Sequence, residues 1–204
     1  MSIGFNYSPA YNKATFTNFD YASKLILTHN MGLSIKYKTK KIIYYNYITY
    51  NYKGGVLIKQ YDLSKQLTPE IKSVTQKTLH NLITSSNLFG REFEVVNKFR
   101  MAPILGIEVS SRINTSNEIT IERVNNSPFY SKEIIDRKSS DSNFLIGMIG
   151  GFSFSYLLSK KIQIDISPFY FKSLNSLKYN NDLYSASLNI SILYTLFKNQ
   201  NISQ

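Results

Sequence analysis

The chain of 204 residues has no cysteine and no tryptophan. Without thiols there is no disulfide scaffold, no thiolate nucleophile and no Cys-ligated zinc. Its five prolines and nine glycines are scattered. No Pro/Gly-rich linker and no internal repeat divides the chain, so residues 1–204 read as one domain. No stretch approaches the roughly 20 consecutive apolar residues of a transmembrane helix, so any membrane crossing has to be made by strands. Acidic residues are few, 13 against 24 basic ones, for a net charge of +11. That balance suits an anionic partner, but the lysines are spread along the chain and no nucleic-acid-binding motif accompanies them. The opening "MSIGFNYSP" lacks a basic segment followed by an apolar one. A secretory signal is therefore expected to have been removed.

What the chain has in quantity is Tyr, 16 of them, and Phe, 13, set in segments of period two. Eight such segments fit a strand better than a helix. "SIGFNYS" sets Ile3, Phe5 and Tyr7 against Gly4, Asn6 and Ser8. "MGLSIKYK" and "KIIYYNYITYNYKGG" follow, separated by a turn at "KTKK". "KFRMAPILGIEVS" alternates from Phe99 to Val109, and "EITIERV" comes after the polar "RINTSN". "NFLIGMIGGFSFSYLL" leads through "SKK" into "KIQIDISPFYFKSL", where Ile162, Ile164 and Ile166 alternate with Gln163, Asp165 and Ser167. The last segment, "YSASLNISILYTLF", ends in Phe197, an alternation closing on an aromatic that resembles a barrel-assembly recognition signal.

The links alternate in length. Turns are expected between strands two and three, four and five, and six and seven; the long links run over about 9–28, 54–93, 131–142 and 173–183. Short turns at one end and long loops at the other are the layout of an outer-membrane barrel. The faces agree with this, since the polar faces are mostly Gly, Ser, Asn and Thr, suited to a crowded lumen, and the apolar faces carry Tyr and Phe near strand ends. The expectation is an all-β fold: a closed eight-stranded antiparallel up-and-down transmembrane β-barrel, termini in the periplasm, with long extracellular loops, one carrying a short helix. Eight strands leave a lumen filled by side chains.

"KIIYYNYITYNYKGG", "FRMAPILGIEV", "GGFSFSYLLSKKIQIDISPFYFKSL" and "ASLNISILYTLF" together resemble the PorT-like outer-membrane β-barrels of Bacteroidota. The resemblance covers most of the chain outside the third long loop. It implies a bacterial outer-membrane location and, through some members, a role in type IX secretion and gliding.

Two groups of residues are candidates for function. Lys36, Arg100, Glu108, Glu122 and Asp165 fall on polar faces and are expected to form a charge network in the lumen, where each charge needs a partner. In the third loop Thr68 can cap a helix, with Pro69 at its first position and Glu70 at its positive end. Ile71, Val74, Thr78, Leu82 and Ile83 recur at helical spacing, and Ile71, Val74, Leu79, Leu82 and Ile83 are its expected contact surface for a partner. His29 and His80 have no His-x-x-x-His or Gly-x-Ser-x-Gly neighbour and read as surface residues. No catalytic residue, metal ligand or cofactor is expected. The expected partners are outer-membrane lipid and lipopolysaccharide together with other envelope proteins, and no nucleic acid. The leading function is a non-enzymatic scaffold or accessory subunit of a cell-envelope complex. A small pore or ligand-binding barrel is the alternative, and a lipid-modifying enzyme at the rim comes third.

Overall fold

A computed structural model describes residues 1–15, 22–39, 42–60, 71–123, 129–135, 144–175 and 182–196. Eleven strands form one sheet: β1 (Ser2–Thr15), β2 (Ala22–Lys24), β3 (Ile26–Thr39), β4 (Ile42–Gln60), β5 (Ile71–Arg91), β6 (Phe93–Val96), β7 (Phe99–Arg123), β8 (Phe129–Ile135), β9 (Phe144–Leu157), β10 (Ile162–Ser173) and β11 (Asp182–Thr195). Neighbours pair antiparallel in the order β4-β3-β1-β11-β10-β9-β7-β5, and β5 pairs with β4 again. Eight staves therefore close a ring. β2, β6 and β8 are additions at its two ends. Closure is made by β1 on β11, from Ser2 opposite Thr195 to Thr15 opposite Asp182, and Leu196 N–H donates to the Met1 carbonyl at 3.0 Å.

The register fixes the shape. Stepping across paired residues from Ile83 leads through Tyr50, Met31, Tyr7, Ile190, Ile166, Phe154 and Met101 to Phe93, ten residues further along the β5–β6 stave. A stagger of about ten residues over eight strands, with a rise of about 3.3 Å and a spacing of about 4.8 Å, tilts the strands by roughly 40°. At that tilt about ten residues of strand cross the hydrocarbon layer.

Alternation is inverted relative to a soluble barrel. Along β10, Gln163, Asp165 and Ser167 are buried, while Ile162 and Ile166 are exposed. Along β1, Ser2, Asn6, Ser8 and Asn12 point inward, and Phe5, 75% exposed, and Tyr11 point outward. The outward band continues through Leu33, Met31, Ile48, Leu105, Ile107, Met148, Phe152, Ile190 and Ile192. Tyr37, Tyr156 and Tyr194 border it at the short-turn end, and Tyr11, Tyr50 and Tyr170 lie toward the loop end. An apolar outer wall between two belts of aromatic residues is the exterior of a barrel solvated by lipid.

Three expectations about the staves are corrected. Residues 71–91 are not a loop with a helix: Ile71, Val74, Leu79, Leu82 and Ile83 lie on β5, paired with β4 on one side and β7 on the other. A lone helix gains little without an apolar surface to cover, whereas here both edges of the segment satisfy its backbone. Thr68, Pro69 and Glu70 lie outside the described residues. The segments expected at 98–110 and 118–124 are joined in one strand, β7, over Phe99–Arg123, and "RINTSN" is part of it; the register shift between Asn81 and Leu82 leaves Ile113 as an extra residue. Such a bulge bends a long strand without ending it. The count of eight staves holds because one stave was missed and another divided. The short connection after β5 runs through β6 at 93–96 instead of "RINTSN". β8 at 129–135 overlaps the start of the expected 131–142 link, and Phe197 lies outside the described residues.

Ile166 lies in the outward band, so Ile166→Arg is expected to destabilise the barrel in bilayers by about 2–4 kcal/mol. Ile166→Val should cost no more than about 1.5 kcal/mol. Urea unfolding in lipid vesicles measures both, and an unchanged midpoint for the Arg variant would mean that this face meets water.

Candidate functional site: a plugged interior and a polar stripe on the outer wall

The inward face of each stave is set by the strand period, so residues distant in sequence converge in the lumen. Toward the short-turn end, Lys36 on β3 reaches Asp165 on β10 at 3.2 Å and Glu92 at 3.3 Å, and it donates to Ser155 Oγ at 3.0 Å. Glu92 also pairs with Lys38 and with Arg100, the latter at 3.6 Å. Asp165 is wholly buried, and its carboxylate accepts from Tyr45 Oη at 2.6 Å and from Gln163 Nε2. Tyr45 also bonds Ser153 at 2.9 Å. Three cations, two carboxylates and a ring of hydroxyl and amide groups thus span the lumen from β3 to β10. A charge taken from water needs such compensation, since removing one partner of a buried pair typically costs about 3–5 kcal/mol.

Toward the loop end a second pair, Lys53 on β4 and Glu108 on β7, crosses the lumen. Ser86 donates to Glu108 Oε2 at 3.0 Å, and the Lys53 ammonium sits 3.2 Å from the centre of the Phe171 ring. Gly147 makes room for that ring: a Cβ there would lie 2.1 Å from Phe171 Cε2. Near this pair lies a cavity of about 50 Å³ lined by Asn6, Asn51, Ile149, Phe169 and Asn189 among others. Its volume accommodates about three water molecules. Apolar side chains fill other parts of the interior, with Leu82, Leu88, Leu145 and Leu193 all fully buried. Higher still, Gln76 and Thr78 bond Asn117 at 3.1 Å each, and His80 Nδ1 meets Thr115 Oγ1 at 2.9 Å.

These positions separate the expected lumen residues. Lys36, Arg100, Glu108 and Asp165 are in the interior, Arg100 partly exposed at its edge. They form two clusters, with Glu108 in the upper one. Glu122 is not in the lumen: it is exposed at the far end of β7, bound to Lys72 Nζ at 3.1 Å and Ser73 Oγ at 3.0 Å. The hydrogen bond from Lys72 holds its carboxyl below the usual carboxylate range. Glu92, Lys53 and Tyr45 were missed; the inward phase of "KIIYYNYITYNYKGG" could have exposed Tyr45 and Lys53. The five expected contact residues do not share a face. Leu82 is buried inside, Ile83 is 53% exposed on the outer wall, and Ile71, Val74 and Leu79 are half-buried. His80 is not on the surface but wholly enclosed. His29 is on the outer wall, its Nδ1 hydrogen-bonded with Tyr7 Oη at 2.5 Å. Among the described residues, no three His, Asp or Glu side chains are placed to hold a metal ion.

Among the described residues, a polar cluster interrupts the apolar band at β4 and β5. On β4, Asn46 faces outward between Tyr44 and Ile48; opposite it on β5, Ser85 and Asn87 face outward between Ile83 and Phe89. Asn46 Nδ2 donates to Asn87 Oδ1 at 2.9 Å and to Ser85 Oγ at 3.2 Å, and Tyr44 Oη donates to Asn87 Oδ1 at 2.5 Å. These groups satisfy one another in part. Two carboxamides and two hydroxyls carry more hydrogen-bonding capacity than these contacts use.

The fold and its inverted alternation define the class: a transmembrane β-barrel with a filled interior. No protein-family model and no curated protein matches the chain. The PorT-like resemblance therefore has no family model behind it. Solved structures similar to the chain include outer-membrane β-barrels. One is neisserial surface protein A, at 12% identity and a TM-score of 0.46, covering 95% of this chain and 98% of that one. Another is Ail, the attachment invasion locus protein of Yersinia pestis, in complex with the heparin analogue sucrose octasulfate, at 10% identity, a TM-score of 0.42 and 95% of each chain. A third is OprG from Pseudomonas aeruginosa, at 11% identity and a TM-score of 0.44, covering 95% of this chain and 92% of that one. With likeness this distant, the architecture here rests on its own strand pairing.

Asp165→Ala leaves Lys36, Lys38 and Arg100 with Glu92 as the one carboxylate of their cluster, and a loss of about 3–5 kcal/mol is expected in vesicle unfolding. Pairing it with Lys36→Met should recover part of that loss, because the excess buried positive charge is then reduced. Additive losses in the double variant would mean that the two side chains do not interact.

Proposed function

We propose that this chain is a bacterial outer-membrane barrel acting as a non-enzymatic scaffold or accessory subunit of a cell-envelope complex, and that it meets its partner sideways within the membrane. The observation that carries this reading is the outward stripe of Tyr44, Asn46, Ser85 and Asn87 inside the apolar band. Polar side chains facing hydrocarbon are costly unless they find partners, and in membranes they serve as contacts between spanning elements. The stripe is also low in profile, with Ser85 and the two asparagines flanked by Ile48, Ile83, Phe89 and Ile107. A partner's wall can approach closely there.

Two further features support a structural role. The charge clusters and apolar side chains fill the lumen, which argues against an open pore. The cavity of about 50 Å³ among the described lumen residues is well below the roughly 300–1,000 Å³ of small-molecule pockets, which argues against a ligand carried inside the barrel there. Type IX secretion or gliding machinery is one complex of the proposed kind, suggested by the strand resemblance alone.

The test is co-purification from detergent-solubilised membranes of the wild type and of Asn46→Leu/Asn87→Leu. A stoichiometric partner retained by the wild type and lost by the variant is expected, with the variant still folded and shifted in mobility when left unheated. A wild type that runs as a monomer and conducts ions in planar bilayers would replace the scaffold with a pore.

A further inference from the structure

On the opposite side of the barrel, three neighbouring staves build a different outward surface. At the loop end of β1, β11 and β10, paired residues line up in rows. One row reads Lys13, Tyr184, Lys172 and the row beneath it Tyr11, Ala186, Tyr170. Ala186 is the smallest side chain of the second row and stands between two tyrosines that are each more than half exposed. The result is a slot floored by Ala186, walled by Tyr11 and Tyr170 and headed by Tyr184, with Leu25 at its upper margin. Its volume is about 630 Å³.

The two lysines above the slot have no carboxylate within ion-pair distance among the described residues. Lys172 Nζ lies over the Tyr184 ring, 5.8 Å from its centre. Among the described residues of these three strands, Asp182 is the acid on this face, two residues further toward the loops than Tyr184 and opposite Thr15. Along the direction of the membrane normal the surface therefore changes from Leu188 and Ile190, through an aromatic slot, to two cations. An acyl chain with a phosphate at its head has the complementary order. The tyrosines stand at the depth where ring and hydroxyl meet the headgroup boundary.

We propose that this slot binds a phosphorylated lipid of the outer leaflet, of the lipid A class, with one acyl chain over Ala186 between Tyr11 and Tyr170 and a phosphate between Lys13 and Lys172. The leaflet follows from the outer-membrane reading above: the short turns, the start of β1 and the finish of β11 are at one end, with the slot at the other. A basic residue at a membrane surface contributes roughly a fivefold gain in affinity for an anionic lipid, so the two together give about twenty-five-fold.

The experiment is native mass spectrometry of the detergent-folded full chain titrated with diphosphorylated lipid A, and in parallel with monophosphorylated lipid A, phosphatidylglycerol and phosphatidylcholine. Three variants accompany it: Lys13→Ala/Lys172→Ala removes the cations, Ala186→Phe fills the slot, and Lys161→Ala removes a lysine at the opposite end. Expected is a saturable lipid A adduct that weakens by about tenfold or more in the first two variants and is unchanged in the third. Heat-shifted mobility of each variant separates loss of binding from loss of fold. Equal lipid A binding by the wild type and the Lys13/Lys172 variant would overturn the site. So would phosphatidylglycerol binding as tight as lipid A, which would mean an unselective anionic lipid shell. Failure of the wild type to fold in detergent would instead sink the outer-membrane reading on which the slot depends.

Discussion

In hydrocarbon an unpaired backbone N–H or C=O costs several kcal/mol, so a sheet can cross a membrane only if it has no open edge. The pairing of β1 with β11 meets that requirement here, and the rest of the structure depends on it. Once the ring is closed with a stagger of about ten residues, strand tilt and wall circumference are fixed. The period of two then assigns each side chain to lipid or lumen. Ile162, Ile164 and Ile166 go outward, and Gln163, Asp165 and Ser167 go inward, because no other phase leaves the polar set out of lipid.

An enclosed lumen of this width has to be filled, and this chain fills it with charge as well as carbon. Lys36, Asp165, Glu92 and Arg100 close one level; Lys53 and Glu108 close another. Their partners come from staves far apart in sequence, so the clusters clamp the wall across the lumen. The outer wall is free of that demand, and the surfaces suited to recognition are found on it. A polar stripe interrupts the apolar band at β4–β5, and a basic-headed slot marks its upper margin at β1–β11–β10. The two lie on different sides of the barrel, which lets a protein neighbour and a lipid occupy it together.

Much of this was legible in the sequence. Segments with one uniformly apolar face, such as those containing Ile162–Ile166 or Phe152–Tyr156, announced both strand and phase. Lys36, Arg100, Glu108 and Asp165 were readable as inward because they alternate with apolar residues. β5 was not legible for two reasons. Its outer face carries Asn81, Ser85 and Asn87, which weaken the alternation, and the adjacent apolar pair Leu82 and Ile83 fits a helix as well as a strand with both faces covered. β7 was divided because its upper half lies beyond the lipid, where Arg112, Asn114 and Asn117 carry no penalty and look like a turn. Glu122 shares a polar face with Glu118 and Thr120, and beyond the lipid an outward polar face meets water at no cost, so polarity there no longer marks the lumen. Glu92 escaped notice because its partners are set by ring closure and not by its own neighbours.

The absence of native cysteine allows each position to be labelled one at a time. Single-cysteine spin labels placed along 162–170, in the barrel reconstituted in bilayers, can be probed with oxygen as a lipid-soluble relaxant and a nickel chelate as a water-soluble one. Oxygen accessibility should alternate with period two, high at 162, 164, 166, 168 and 170 and low between them. High oxygen accessibility at 163, 165 and 167, or nickel access equal at all positions, would contradict a barrel that turns its isoleucines to lipid and its Asp165 inward.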